Sequence, residues 1–175
     1  MKKLLIAFCF SLFAAAAFCQ NIPKMKITDI EKYIDSSADE VLVLSFWATF
    51  CKPCVAEIPS FISITNKYKS SHVKLLLVSL DLPSYYPAKI LSFAKKHHLN
   101  TNIAWLNETN ADYFCPKIDA QWSGSIPATL IINTKTGYRK FFEEEIAANV
   151  FENELKKAMR DGKSPDHLNT RSEPE

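Results

Sequence analysis

A continuous apolar run, VLVLSFWA at residues 41–48, leads directly into the sequence TFCKPC and constrains the fold more than any other segment. An unbroken run of this length, rich in valine and leucine, is typical of a strand buried on both faces, and we predict that strand over Val41–Phe46. A helix is predicted to follow over Pro53–Lys69, because proline is favoured at a first helical position, where its missing N–H had no partner. Cys51 and Cys54 are therefore expected where a buried strand ends and a helix begins.

Strands alternate with helices along the rest of the chain. Further strands are predicted over Val73–Leu80, at NIAWL (102–106) and at ATLIIN (128–133), with YRKFF (138–142) as the antiparallel partner of ATLIIN. Helices are predicted over Asp29–Ser36, after the capping-box pattern TDIE, within YYPAKILSFAKKHHL (85–99), in NADYFC before Pro116, and over Ala147–Met159. This order predicts a single α/β domain over residues 25–160, with a central mixed sheet and helices on both faces.

The two ends of the chain differ from this domain. A basic start, MKK, precedes the apolar run Leu4–Phe18, which has the length of a signal-peptide core and is short for a membrane span. We predict a signal peptide over residues 1–19, cleaved after Cys19, with an uncleaved anchor or a lipoprotein cut before Cys19 as alternatives. The polar segment 161–175 is predicted to be a disordered tail.

An exported chain would have a balanced charge and few thiols. The full sequence holds 21 basic and 19 acidic residues, and loss of Lys2 and Lys3 with the signal peptide would make these numbers equal. A neutral chain gives no reason to expect a nucleic-acid partner. The cysteines that remain are Cys51, Cys54 and Cys115, too few for a disulfide framework or a four-cysteine zinc site.

Three interpretations of the Cys51–Cys54 pair were weighed. Half of a zinc site would need further ligands, and none of the four histidines has a ligand spacing to the pair. A purely structural disulfide would close a very short loop and add little stability. A redox dithiol is favoured, because the helix dipole and unpaired N–H groups at a helix start stabilise a thiolate, and Lys52 adds a positive charge. In this interpretation Cys51 is the exposed nucleophile and Cys54 the buried resolving thiol.

The segment VLVLSFWATFCKPCVAEIPSF resembles the active-site segment of the thioredoxin superfamily, and SGSIPATLIIN resembles its second signature, a cis-proline before a strand. More narrowly, the chain is similar to exported TlpA/ResA-like thiol-disulfide oxidoreductases. The shared features are the signal peptide, an inserted segment between the Leu80 strand and the cis-proline strand, and the pattern C-x-x-C-x-x-E-x-P, whose glutamate is Glu57. The resemblance implies a thioredoxin fold with that insertion.

The resemblance also implies roles for individual residues. Glu57 would be a partly buried proton acceptor near Cys54, and the alternative is a helix-start acid that only complements the dipole. The Ile126–Pro127 bond would be cis, with the Ile126 backbone pairing with an extended substrate chain. We assign Lys52, Pro53 and Trp47 to the substrate-binding surface around the dithiol as well.

Some residues depart from the thioredoxin pattern. Thioredoxins have an aspartate where this chain has Ser45, a tryptophan where it has Phe50, and Gly-Pro where it has Lys52-Pro53. With Ser45 a buried carboxylate is absent from the strand. The Lys52-Pro53 pair changes the reduction potential expected for the family, because the two residues between the cysteines affect thiolate stability. Cys115 is predicted to be a buried, inert thiol outside the redox cycle, and the alternative is a reactive or regulatory thiol. The charged run after YRKFF, which includes Glu143 and Glu144, was assigned no function.

The expected function is therefore dithiol-disulfide exchange in the periplasm, without a cofactor beyond the redox-active Cys51–Cys54 disulfide. The resemblance implies a reductant of protein disulfides, with apocytochrome c as a possible client, a membrane-bound electron donor and a monomeric protein. Two alternatives are a thiol peroxidase of the peroxiredoxin type and a thioredoxin-like binding module with an idle dithiol. The Pro-x-x-x-Thr pattern that precedes a peroxidatic cysteine is missing before Cys51.

Overall fold

The computed structural model of the protein describes residues 21–37 and 40–160. The predicted signal peptide (1–19) and the predicted polar tail (161–175) lie outside the described residues. Among the helices of these two ranges, none is long and apolar enough to cross a bilayer.

The core of the described chain is one mixed six-stranded sheet. Its strands are β1 (Lys24–Met25), β2 (Val41–Trp47), β3 (Val73–Ser79), β4 (Asn102–Leu106), β5 (Ala128–Asn133) and β6 (Tyr138–Phe142). Their order across the sheet is β1-β4-β3-β2-β5-β6, in which β1, β4, β3 and β2 run parallel and β5 and β6 run antiparallel to their neighbours. Strand β2 is thus central and pairs with β3 on one side and β5 on the other.

Five α-helices pack on the two faces of this sheet. They are α1 (Ile27–Asp35), α2 (Lys52–Lys67), α3 (Ala88–Lys96), α4 (Ala111–Ile118) and α5 (Ala148–Met159). Buried side chains of α2, α3 and α5 share one core layer, and those of α1 and α4 share the other. The predicted α/β architecture, with helices on both faces and extra elements between β3 and β5, is confirmed.

The alternation of β2 side chains explains its continuous apolar sequence. Val41, Val43 and Trp47 belong to the layer under α2, α3 and α5, whereas Leu42 and Leu44 belong to the layer under α1 and α4. Both faces of the strand are covered, so every residue of β2 is buried.

Several helix boundaries differ from the sequence predictions by one to three residues, and the structure gives a physical reason for two of them. Helix α1 begins at Ile27 rather than Asp29, because Asp29, and not Thr28, is the capping side chain: its Oδ2 accepts a hydrogen bond from the Lys26 N–H at 2.9 Å. Helix α4 continues through Pro116 to Ile118, where an irregular segment was predicted. The last turn is held by the Asp119 N–H, which donates to the Cys115 carbonyl at 2.9 Å, and by burial of Ile118.

Strand β1 was not predicted. It has only two residues and pairs with the Trp105–Leu106 end of β4 at the edge of the sheet. A strand of this length carries no periodic pattern, so only its pairing partner identifies it.

Candidate active site

The dithiol lies at the carboxyl end of β2, where the chain turns into α2. Cys51 is the N-cap residue of α2, and its Sγ accepts a hydrogen bond from the Cys54 N–H at 3.3 Å. Cys51 and Cys54 form a disulfide. Lys52 and Pro53 are the first two residues of the helix and are both exposed. The expected position at a strand end and a helix start is therefore confirmed.

The two cysteines differ in accessibility, but Cys51, which the sequence predicted to be exposed, is buried in the oxidised protein as well. Cys51 is 8% exposed and Cys54 is completely buried. Phe50, the residue before Cys51, is 63% exposed, so the surface next to the more accessible sulfur is apolar. Trp47 is fully buried, and its ring packs against Phe93 at a centroid distance of 5.8 Å.

Glu57 lies one turn after Cys54 on the buried side of α2 and is only 4% exposed. Its Oε2 accepts a hydrogen bond from the Ile146 N–H at 2.9 Å, and its Oε1 has no hydrogen-bond partner among the described residues. Burial raises the pKa of the Glu57 carboxyl to about 7, the Ile146 hydrogen bond lowers it and the charge of Glu145 raises it further. Glu57 can therefore hold or release a proton near neutral pH.

Three more buried polar atoms without a partner among the described residues are Ser45 Oγ, Trp47 Nε1 and Thr129 Oγ1. Ser45 and Thr129 are directly opposite each other in the β2–β5 register. Val43 and Trp47 are two positions away from Ser45, and Ile131 is two positions away from Thr129. All three belong to the core layer under α2. Because side chains alternate along a strand, both hydroxyls face α2, the helix that carries Cys54 and Glu57. Ser45, at the position of the thioredoxin aspartate, thus provides a hydroxyl in place of a buried carboxylate.

Asp81 is a site residue that the sequence analysis missed. It follows β3, is 3% exposed, and its carboxylate accepts hydrogen bonds from the Thr49 N–H at 3.1 and 3.2 Å, the Thr49 hydroxyl at 2.6 Å and the Ser79 hydroxyl at 2.8 Å. These bonds fix the loop between Trp47 and Cys51. The sequence does contain a signal for Asp81, because it is an acidic residue just after a predicted buried strand. Since β2 and β3 are parallel, Asp81 lies at the same edge of the sheet as the dithiol.

The Ile126–Pro127 peptide bond is cis, as the resemblance implied, and directly precedes β5. Ala128 pairs with Phe46 of β2, so this loop lies at the edge of the sheet from which the dithiol loop leaves β2. Pro127 is buried and Ile126 half-buried. Within residues 21–37 and 40–160, neither the N–H nor the C=O of Ile126 has a hydrogen-bond partner.

The third thiol, Cys115, lies on the other side of the sheet from the dithiol. It is a free, buried cysteine in the layer of α1 and α4, whereas Cys51 and Cys54 belong to the layer of α2. Burial raises the pKa of the Cys115 thiol to about 11, and the charges of Glu143 and Asp112 raise it as well. The described residues contain no group of three or more His, Cys, Asp or Glu side chains that could hold a metal ion.

Comparisons with known proteins agree with this geometry. The thiol-disulfide oxidoreductase ResA of Oceanobacillus iheyensis is 33% identical over 66 residues, which are 34% of this chain and 34% of that protein. ResA of Geobacillus kaustophilus is 26% identical over 122 residues, which are 68% of this chain and 65% of that protein. A putative thiol:disulfide interchange protein DsbE from Chlorobium tepidum has a similar structure, with a TM-score of 0.57, 18% identity, and coverage of 72% of this chain and 84% of that one.

Together, the sheet order and the cysteine pair at a helix start define a thioredoxin-fold dithiol protein. The chain belongs to the AhpC/TSA family, whose model matches residues 14–137. The matches to the two ResA proteins span between 34% and 65% of the length of those relatives. The structural neighbour at 18% identity shows the fold alone.

Proposed function

We propose that the protein is a thiol-disulfide oxidoreductase that reduces disulfides of client proteins. The observation that carries this proposal is the Cys51–Cys54 pair, bonded to each other at the start of α2 with the Cys54 N–H directed at Cys51 Sγ. In the reduced protein the same N–H and the helix dipole stabilise a thiolate at Cys51. The relatives named above are themselves called thiol-disulfide oxidoreductases.

The proposed reaction has two exchange steps. The Cys51 thiolate attacks one sulfur of a client disulfide, which forms a Cys51–client mixed disulfide and releases the first client thiolate. The Cys54 thiolate then attacks Cys51 Sγ, which restores the Cys51–Cys54 bond and releases the second client thiolate. Two electrons pass to the client, and the two cysteines of the protein are oxidised to the disulfide.

Glu57 is proposed to take the proton that Cys54 must lose before the second step. It lies three residues after Cys54 on the same face of α2, and its pKa of about 7 allows it to accept a proton near neutral pH. The unpartnered Oε1 is the atom available for that proton.

The client is proposed to bind in extended form along the Ile126 backbone, because its N–H and C=O are unpaired and follow the direction of β5. Lys52 and Pro53, both exposed beside Cys51, complete the contact surface. Trp47, at the end of β2, is fully buried, so it would not contact the client and would support this surface from within the core.

The cellular setting is proposed from the sequence. The basic start and apolar run of residues 1–18 support export to the periplasm, where a membrane-bound donor would reduce the disulfide again. Apocytochrome c thiols are one candidate client, and a monomer is the proposed state.

The experiment that tests this function is a reduction assay with prereduced protein and a disulfide-bonded peptide. Wild type should form two free peptide thiols for each Cys51–Cys54 disulfide that it accumulates, and Cys51→Ser should form none. Consumption of hydrogen peroxide without peptide reduction would support a thiol peroxidase instead. A dithiol that reacts with neither would support the binding module.

A further inference from the structure

A second carboxylate is directed at the loop beside the dithiol. Glu143 directly follows β6, and the pairing of Phe142 with Thr129 places it next to the start of β5. Its contacts are with Ser123 and Ser125, two residues of the segment that leads into the Ile126–Pro127 bond. Glu143 belongs to the charged run after YRKFF, for which the sequence alone predicts no function.

The Glu143 carboxylate is surrounded by donors from a single short loop. The Ser123 N–H donates to its two oxygens at 3.0 and 3.1 Å, and the Ser125 N–H donates to Oε1 at 3.0 Å. The Ser123 hydroxyl also donates to Oε1. These hydrogen bonds lower the pKa of the Glu143 carboxyl, so it is ionised at neutral pH.

At the tip of the loop, the Ser123 and Ser125 hydroxyls also lie within hydrogen-bond distance of each other, at 3.1 Å. Ser123 and Ser125 are exposed, and Gly124 between them has a φ of +98°, which a residue with a side chain rarely adopts. The side chain of Trp122 is buried in the core layer under α1 and α4, and its indole N–H donates to the Ser125 carbonyl at 2.9 Å. Glu143 thus binds the N–H groups of Ser123 and Ser125, and Trp122 binds the Ser125 carbonyl.

We propose that Glu143 is a positioning residue: by holding Ser123 and Ser125 it presents the Ile126 backbone in the shape that an extended client polypeptide requires. This inference rests on the proposed function, and it adds a residue that determines affinity for polypeptide disulfides. The chemistry at Cys51 does not involve Glu143. A freed loop would have to be ordered each time a client binds, which weakens binding without changing the exchange step.

The matched pair of variants is Glu143→Gln and Glu144→Gln. Both remove one negative charge from the same segment, but Glu144 is exposed and has no hydrogen bond or ion pair within the described residues. Glutamine at position 143 keeps one acceptor oxygen without the negative charge, and with that oxygen at the Oε1 position its N–H₂ donor faces the Ser123 N–H that donates to Oε2 in the wild type. The loop should therefore lose part of its hydrogen bonding only in Glu143→Gln.

The assay compares a disulfide-bonded peptide with the small disulfide 5,5′-dithiobis(2-nitrobenzoate), which is too short to pair with a backbone. For Glu143→Gln we expect KM for the peptide to rise by about three- to tenfold, the effect of one or two net hydrogen bonds, with kcat within about twofold. The rate with the small disulfide and the reduction potential should match those of Glu144→Gln. Amide hydrogen exchange at Ser123 and Ser125 should become faster.

Equal losses on both substrates, or no change on either, would refute the role of Glu143. If Glu143→Gln does not fold, Ser123→Ala removes only the hydroxyl donor and should raise KM for the peptide in the same direction, and an unchanged KM would also refute the inference. Wild-type protein that reduces the peptide, together with an unchanged KM for the peptide in Glu143→Gln, would contradict this inference alone. Wild-type protein that does not reduce the peptide would contradict the proposed function.

Discussion

The Oε2 atom of Glu57 accepts a hydrogen bond from the backbone N–H of Ile146 at 2.9 Å, and this bond joins the dithiol helix α2 to the segment before α5. The carboxyl group is buried on the same helix face as Cys54. A group that titrates near neutral pH is thus held between α2 and the segment before α5, one turn from the resolving thiol.

Titration of Glu57 should be visible in protein stability. Its pKa is raised from 4.5 to about 7 in the native state, so between these values the native protein holds a proton that the unfolded chain has lost. The contribution of Glu57 to the free energy of unfolding should therefore fall as pH rises through this window, by up to about 3 kcal/mol, and this contribution is level below it. Urea denaturation of wild type and Glu57→Gln at a series of pH values measures this fall.

In Glu57→Gln the fall should disappear, whereas Glu144→Gln, which changes an exposed acid, should retain it. The pH profile of disulfide exchange should also become simpler in Glu57→Gln, because Cys54 would no longer titrate together with a carboxyl group. A wild-type stability that does not change between pH 4.5 and 7 would show that Glu57 is solvated like an ordinary helix-start acid.

Asp81 should stabilise the loop before Cys51. Asp81→Asn removes the charge and places an N–H₂ donor against the Thr49 N–H, so we expect a loss of about 1 to 3 kcal/mol in the free energy of unfolding. The midpoint of urea denaturation measures this loss. Asp112→Asn is the matched control, because Asp112 is exposed on α4, and it should change stability by less than about 0.5 kcal/mol. Equal stabilities of the two variants would remove Asp81 from the site.

The two cysteines of the reduced protein should differ in reactivity. Cys51 retains some exposure and caps α2, whereas Cys54 is fully buried, so iodoacetamide near pH 6 should modify Cys51 first. Peptide mapping by mass spectrometry identifies the modified residue. Preferential labelling of Cys54 or Cys115 would reverse the assignment of the nucleophile.

Cys115 should play no part in the redox cycle, since it lies across the sheet from the dithiol and burial raises its pKa to about 11. Exchange rates of Cys115→Ala should therefore stay within about twofold of wild type in the same peptide assay. A tenfold loss, equivalent to about 1.4 kcal/mol in the barrier, would identify a third catalytic thiol.

The sequence predicted the parts of the fold that carry long apolar patterns. Strands β2, β3 and β5 and the start of α2 were found because buried strands and a helix-initiating proline leave clear signals. The start of α1 was misplaced, since TDIE offers two capping acids and only the structure shows that Asp29 bonds to Lys26. The end of α4 was misplaced because tertiary contacts of Ile118 outweigh the missing N–H of Pro116.

The candidate site was predicted where its residues match motifs of the resembling family and missed where only strand pairing brings residues together. Cys51, Cys54 and Glu57 match the C-x-x-C-x-x-E-x-P pattern at the start of α2, and Pro127 matches the cis-proline signature. Asp81 and Glu143 each act on a loop that is 18 to 32 residues away in the chain. Their partners follow from strand pairing, which no local pattern encodes.

The central claim, that Cys51 attacks a client disulfide and Cys54 resolves the product, is tested most directly by trapping. Reduced Cys54→Ser should be mixed with a disulfide-bonded peptide, and its mass should then increase by that of one peptide, attached at Cys51 and released by dithiothreitol. Cys51→Ser, with its buried Cys54, should trap little or none. A stable adduct on Cys54 or Cys115, or no adduct in Cys54→Ser, would contradict the account.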